Sequence, residues 1–509
     1  MAFLAHKFIP LRVSALSTFA ALSTFAALST FALLSLLAML AAPLVAQDDI
    51  TTQNATPGYK GAWITGPASN PLSFLNGTAG RTTGTTAPYD FHDFAPISDL
   101  DAKLPGWIDL QAEERFRVEG YDNSGFKANA DDRYLLNRFR FQVDLHPTSW
   151  LRVTTQVQDA RAGLENSPIG PPNTVRWDLK LAYAEINAPD KHWFSLRVGR
   201  QLINYNNTII ANSEWRNQGR SYDAAVLNLD AKREHVGIFA ASAVVPQAYG
   251  VSPHQEGNNI YGAYGRIDDL VPHSNLEPFF LWRVQPAEVV EPAVSKKTGK
   301  EDEKAEGLRF KAQTHKSLDY EGEFIFESGK VGSQLIRAYA GQGGAAYRFV
   351  NTASRPRVFA QFDYASGNSD PAKNLTHTTF DTIYPTAHDR FGITDLFGWQ
   401  NLESVRAGAT IEPHRRLTFT VQGLDFWAVS ALDSIYNTSG SAIATNKTDH
   451  GRHLGAELDS YSWYEINQHF NLGGGIGYFG GGQFLTNVAT SHSYTYYYFA
   501  MNFKDNGKK

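Results

Sequence analysis

The stretch Trp107-Ile-Asp-Leu-Gln-Ala-Glu-Glu-Arg-Phe-Arg-Val-Glu119 divides its residues between two faces. Asp109, Gln111, Glu113, Arg115, Arg117 and Glu119 share one face. Ile108, Leu110, Ala112, Phe116 and Val118 share the other, with Glu114 the exception. Successive side chains of a β-strand point to opposite sides, so this is a strand with one apolar and one charged surface. The pattern recurs at once. Arg138, Arg140, Gln142 and Asp144 oppose Phe139, Phe141, Val143 and Leu145, and Arg152, Thr154, Gln156 and Gln158 oppose Leu151, Val153, Thr155 and Val157. A large soluble antiparallel protein would alternate in the same way with its apolar face turned inward. The sequence offers no second packing layer to cover such a face, and its strand ends are aromatic, which favours a barrel standing in a membrane with charges inside.

Eighteen such segments run between residues 107 and 503. Most have the roughly 9–11 residues that cross a bilayer at a barrel tilt, and an even count puts both chain ends on one side. Short connections at 146–148, 188–192, 230–233, 315–316 and 412–414 alternate with long ones at 159–174, 203–219, 245–257, 287–303, 365–400, 428–450 and 480–491. Two places break the rhythm. The turn at 327–330 is short for the long-loop rim, and 342–354 is long for the tight rim. The fold class expected is all-β, a transmembrane antiparallel barrel of eighteen strands over 107–503, followed by a short polar tail at 504–509.

The ends read differently. Lys7 and Arg12 precede an apolar run with three tandem copies of Ala-Leu-Ser-Thr-Phe-Ala between Ala15 and Ala32, closing at Leu44-Val-Ala46. Residues 1–46 therefore read as a secretory signal, with an uncleaved anchor as the alternative because the apolar run is long. Residues 47–106, rich in Thr, Gly, Asn and Pro, read as an irregular extension. With no cysteine there is no disulfide or thiol chemistry, and a net charge of -5 gives no support to nucleic-acid binding.

The inward assignment gathers Arg115, Arg117, Arg138, Arg140, Arg152, Arg176 and Arg197 on the first five strands, and Arg337, Arg357, Arg406 and Arg416 later. Guanidinium groups stay charged and present a planar fork to carboxylates. Glu113, Asp144, Asp178, Asp363, Glu457 and Asp459 are candidate braces. Rings of Arg or Lys make a pore anion-selective; the plainer reading is that these charges hydrate and brace a wide lumen.

Longer motifs add to this. Leu196-Arg-Val-Gly-Arg-Gln-Leu, Trp215-Arg-Asn-Gln-Gly-Arg-Ser-Tyr-Asp-Ala, Phe362-Asp-Tyr-Ala-Ser-Gly-Asn-Ser, Tyr384-Pro-Thr-Ala-His, Asp395-Leu-Phe-Gly-Trp-Gln-Asn and Gly455-Ala-Glu-Leu-Asp-Ser resemble, in order and spacing, the alginate export family of outer-membrane proteins. The resemblance implies a monomeric eighteen-stranded barrel in the outer membrane, passing an anionic polysaccharide of the polyuronate type to the exterior. It implies pore positions for Arg115, Arg117, Arg138, Arg140, Arg200, Arg220 and Arg406, with Asp223 and Glu457 as their acidic braces. Outer-membrane lipid, lipopolysaccharide and periplasmic export proteins are the partners it implies. The chain departs from the family at Asn206-Asn207, where many members carry Gly-Asp, and in continuing past Phe503.

Two other functions are open to such a sequence. A porin importing small anions or sugars shares the barrel, and the residues alone do not set export against uptake or name the polymer. A membrane-embedded hydrolase would need catalytic spacing, but no Gly-x-Ser-x-Gly elbow or His-Glu-x-x-His stands out. Thr448-Asp-His450 reads as a hydrated outer loop, and the histidines at 377, 388, 414 and 469 lack ligand spacing. Lys296–Lys304 reads as a solvated loop tip without calcium-loop spacing. No cofactor or metal is expected, and no enzyme activity.

Overall fold

The computed structural model describes residues 95–165, 173–188, 193–205, 208–290, 297–314, 317–371, 376–386, 388–445, 451–489 and 491–507. The signal segment 1–46, Asn206-Asn207 and Thr448-Asp-His450 lie outside them.

Eighteen long antiparallel strands form one sheet. They are β1 (Ile108–Asp122), β2 (Asp132–Thr148), β3 (Leu151–Gly163), β4 (Val175–Asn187), β5 (Phe194–Gln201), β6 (Tyr222–Asp230), β7 (Glu234–Ala243), β8 (Asn259–Asp268), β9 (Ser274–Val290), β10 (Lys297–Thr314), β11 (Leu318–Val331), β12 (Gln334–Arg348), β13 (Arg357–Ala365), β14 (Leu402–His414), β15 (Leu417–Ala428), β16 (His453–Glu465), β17 (Phe470–Gly481) and β18 (Ser493–Asp505). Each pairs with its neighbour in sequence, and β1 pairs with β18 from Ala112↔Asp505 to Asp122↔Thr495, which closes the barrel. Closure removes the edges that a membrane core cannot solvate. The eighteen segments read from alternation correspond one to one with these strands.

The side chains obey the expected two faces. Phe116, Val118, Val198, Ile238, Leu308, Phe324, Leu458, Ile476 and Phe499 are exposed on the outer wall, while Arg115, Arg117, Arg138 and Arg140 are buried. Glu114, the exception in β1, accepts a hydrogen bond from Nδ2 of Asn137 on the outer face. Aromatic residues exposed near the short-turn rim (Trp107, Trp150, Trp193, Phe349, Tyr464) and near the opposite rim (Trp177, Tyr261, Trp282, Tyr478) form the two interfacial girdles of such a barrel.

The strands overrun several expected boundaries. The sequence pattern makes 287–303 a loop, yet β9 runs to Val290 and β10 starts at Lys297. Their charges hid a strand: Glu301 and Glu303 turn inward and are buried, whereas Asp302 on the other face accepts from Trp282 Nε1 at 2.9 Å. Likewise β12 continues to Arg348, so 342–354 shrinks to the connection 349–356, and the short turn moves to 332–333. Lys504 and Asp505, assigned to the tail, are strand residues facing Glu113 and Ala112. Arg176 and Arg337 are exposed on the outer side of their strands, not inward.

Near the chain ends, helix α1 (Pro96–Asp101) locks onto the barrel seam. Asp505 accepts from the backbone N–H groups of Ile97 (2.9 Å) and Ser98 (3.1 Å), and Asp101 accepts from that of Leu110 (3.0 Å). These are donors that a helix start and a strand running past its partner leave unsatisfied.

One backbone position decides the shape of β5. Gly199, in the Leu196-Arg-Val-Gly-Arg-Gln motif, has φ of 123° and lies against the Ala182 carbonyl, so a Cβ there would both strain the backbone and collide. Gly199→Ala should cost about 1–3 kcal/mol, seen as a lower midpoint in the heat-dependent loss of folded-barrel mobility on gels. Unchanged stability would mean that the wall relaxes around it.

Candidate functional site: a lumen closed down by two infolded loops

The long-loop rim does not leave the lumen open. The connection 202–221 between β5 and β6 and the connection 366–401 between β13 and β14 fold inward and carry much of the buried core. Ile203, Ile209 and Ile210 pack with Val226, Phe239 and Ile260 of the wall, and Phe380, Phe391, Phe397 and Trp399 with Phe426 and Phe479. These apolar residues are why the loops turn inward: outside, they would be exposed to water.

The β5–β6 loop is held by the wall arginines. Arg115 donates to the carbonyls of Glu214 (2.9 Å), Trp215 (3.3 Å) and Arg216 (3.1 Å). Arg117 donates to the carbonyl of Trp215 at 2.8 Å, stacks 4.1 Å from that indole ring and pairs with Glu119. The Glu214 carboxylate sits between Arg140 (2.6 Å) and Arg138 (3.2 Å), while Lys180 donates to the Gln218 carbonyl at 3.1 Å. Glu113 pairs with Arg138 and lies 3.9 Å from Arg140, as a brace should. Burial pushes the Glu214 carboxyl up, but Arg140, Arg138 and Lys180 outweigh it and bring the pKa down to about 2.

The two loops also grip one another. Ala211 N–H donates to the Tyr384 carbonyl (2.8 Å) and Tyr384 N–H to that of Ile209 (3.0 Å). Arg220 donates to the carbonyls of Ala211 (2.9 Å) and Tyr384 (2.7 Å). Trp215 stacks on His388 with 3.8 Å between ring centres and 8° between planes. His388 is therefore part of the loop clasp, hydrogen-bonded to Asp395 at 2.9 Å.

The β13–β14 loop is anchored to its own wall. Asp389 accepts from Arg406 (2.9 Å) and from Tyr461 Oη (2.7 Å), and Arg390 pairs with Asp363 at 2.5 Å. Arg406 is thus braced by Asp389 and Gln422, whereas Glu457 accepts from Thr394 N–H (3.1 Å) and Oγ1 (2.5 Å). Asp144 holds Arg152 at 2.7 Å. Arg200 pairs with Asp223 at 2.7 Å, but this pair is not on the lumen side. Tyr222 sends its hydroxyl to the infolded Ala211 carbonyl at 3.1 Å, so the adjacent Asp223 and the Arg200 opposite it belong to the outer face. Asp223 there lines a shallow groove with Val198, Ala225 and Tyr261.

Seven expected pore arginines thus divide three ways. Arg115, Arg117, Arg138 and Arg140 converge on one loop, Arg220 and Arg406 fasten the loops to each other and to the wall, and Arg200 braces the wall from outside. Sequence reasoning missed Glu214 and Arg216. Arg216 projects from the same loop and, among the described residues, makes no ion pair. Burial, with repulsion from Arg220, lowers its pKa to about 10 against the attraction of Asp395. The motif Trp215-Arg-Asn-Gln-Gly-Arg contains it, but only the infolding gives it a lumen address.

Replacing Glu214 by Gln should cost about 3 kcal/mol of loop anchoring, because Arg138 and Arg140 stay buried with Glu113 as the one carboxylate left between them. Deuterium exchange over 208–221 is expected to rise in that variant. In the parent, whose Glu214 has a depressed folded pKa, the anchoring should hold at neutral pH. It should fade as pH falls from 4.5 toward about 2. Exchange that stays flat through that window would contradict the anchoring role.

The family model for alginate export matches residues 106–499, nearly the whole barrel. Solved structures share the fold: Pseudomonas aeruginosa OccK11 (OpdR) at 12% identity, with TM-score 0.51 over 78% of this chain and 95% of that one; Pseudomonas aeruginosa OccD3 (OpdP) at 10%, TM-score 0.52, over 79% and 92%; and Acinetobacter baumannii OccAB1 at 10%, TM-score 0.51, over 81% and 99%. Curated protein sequences give no match. With its closed eighteen-stranded wall and loop-narrowed lumen, the chain belongs to the alginate export family and is an outer-membrane channel.

Proposed function

We propose that this channel passes an anionic polysaccharide, an alginate-like polyuronate, from periplasm to exterior along an arginine-lined path. The observation that carries the reading is the charge imbalance at the β5–β6 loop. Six guanidinium groups (Arg115, Arg117, Arg138, Arg140, Arg216, Arg220) gather there against four carboxylates, Glu113, Glu119, Glu214 and Asp395. Arg115 and Arg220 donate to backbone carbonyls, which accept hydrogen bonds but bring no counter-charge. A polymer carrying a carboxylate on each sugar would be drawn into that field and passed along it. Arg216 supplies the cation that such a chain meets directly, while the others set the potential around it. No chemistry is required of the protein, in keeping with a channel.

A second reading, uptake of small anions, draws on the narrowness made by the Trp215–His388 stack. A strain lacking the protein separates the two. Export predicts loss of secreted acidic polysaccharide with accumulation in the periplasm; normal secretion with slowed uptake of small anions would favour import. In planar bilayers the parent channel should prefer chloride to potassium. Arg216→Gln should lower that preference severalfold while leaving the barrel intact. Selectivity unmoved by Arg216→Gln would remove the role given to this residue.

A further inference from the structure

The opposite wall has the reverse problem. Near the long-loop end, Glu301 and Glu303 of β10 and Asp381 of the β13–β14 loop bring carboxylate oxygens within 4.8 Å of one another. All three converge on Nη2 of Arg283, with Glu301 Oε1 at 2.5 Å, Glu303 Oε2 at 2.7 Å and Asp381 Oδ2 also accepting. That nitrogen carries two hydrogens and cannot serve three acceptors fully. A fourth carboxylate, Glu327 of β11, accepts the Asp381 N–H at 3.0 Å through Oε2.

Two oxygens of this group have no hydrogen-bond donor among the described residues: Glu327 Oε1 and Glu301 Oε2. Their side chains are deeply buried, at 0% and 3% relative exposure. Four carboxylates therefore face one guanidinium, and His377 adds attraction on Asp381 only when protonated. Buried carboxylate oxygens without a donor or counter-charge cost several kcal/mol each. Hard divalent cations relieve that arrangement directly, and calcium accepts six to eight oxygens in flexible geometry, where magnesium demands a near-ideal octahedron.

We propose that a divalent cation of calcium size binds beside Arg283, held by Glu301, Glu303 and Glu327, and fastens the β13–β14 loop to the barrel wall through Asp381. Arg283 follows Trp282 of the outer girdle, so the site lies where the exterior ion pool reaches the lumen. The loop it fastens also carries Tyr384 and His388, which grip the β5–β6 loop. Occupancy therefore sets how firmly the passage is narrowed. This inference stands whatever solute the channel carries.

The test uses the full chain folded in detergent at pH 7, with barrel integrity checked by heat-dependent gel mobility. Calorimetric titration with calcium chloride should show saturable binding on the order of 0.1–1 mM, the range of extracellular sites, and at least about tenfold weaker binding of magnesium. Calcium should slow deuterium exchange over 376–386, and a chelator should restore it. A Glu301→Gln/Glu327→Gln double variant should lose both responses. If that variant does not fold, Glu327→Gln alone serves, with the parent exchange as the independent readout. No saturable calcium binding by the parent, exchange over 376–386 indifferent to calcium, or binding retained in a folded double variant would each overturn the proposal. The first of these outcomes would mean that protons alone neutralise the cluster.

Discussion

The interior of this barrel depends on the grip of wall arginines on the β5–β6 loop. A lumen lined by buried guanidinium groups must replace the water each group has lost. Here much of the replacement comes from the loop: three successive carbonyls for Arg115, one for Arg117, and the Glu214 carboxylate shared by Arg138 and Arg140, with Glu113 and Glu119 completing the set from the wall. That grip places Trp215, Trp215 places His388, and the β13–β14 loop is held in turn by Asp389 on Arg406 and Asp363 on Arg390. Charge on one wall thus determines the course of a loop rooted on the other.

The result is a lumen polarised across its width. Around the β5–β6 loop, β1 and β2 set Arg115, Arg117, Arg138 and Arg140 against Glu113 and Glu119, whereas β9 to β11 present Glu277, Glu301, Glu303, Glu321, Glu323 and Glu327 against Arg283, Arg309 and Lys311. Opposed surfaces of this kind set up a field across the path rather than along it. A flexible polyanion in such a field lies against one side, which orders it without binding it tightly.

Much of the wall was legible beforehand. Period-two alternation located all eighteen strands, because burying charge on one face and apolar atoms on the other leaves few alternative registers. It failed where charge stood on both faces, as at Lys297–Lys304, which resembles a loop by composition and is a strand by pairing. The inward arginines of β1 and β2 were legible for the same reason as the strands. Their partners were not: Glu214 lies about 75 to 100 residues away in sequence, within a loop that carries no periodicity. The family motifs turn out to have one meaning in space. Trp215, Asp363, Tyr384, Asp395 and Glu457 all belong to the infolded loops or to the wall positions that receive them, while Gly199 shapes the wall strand beside them. The resemblance pairs Glu457 with an arginine, whereas it meets Thr394, and Asp389 is the carboxylate on Arg406.

The small helix at the seam has a consequence for the order of assembly. Its two anchors, Asp505 and Leu110, sit on the last and first strands, and they become neighbours only when those strands hydrogen-bond. Until then the helix has no surface to recognise. Its docking therefore follows completed insertion: the helix finds both of its anchors only once the final strand has paired with the first.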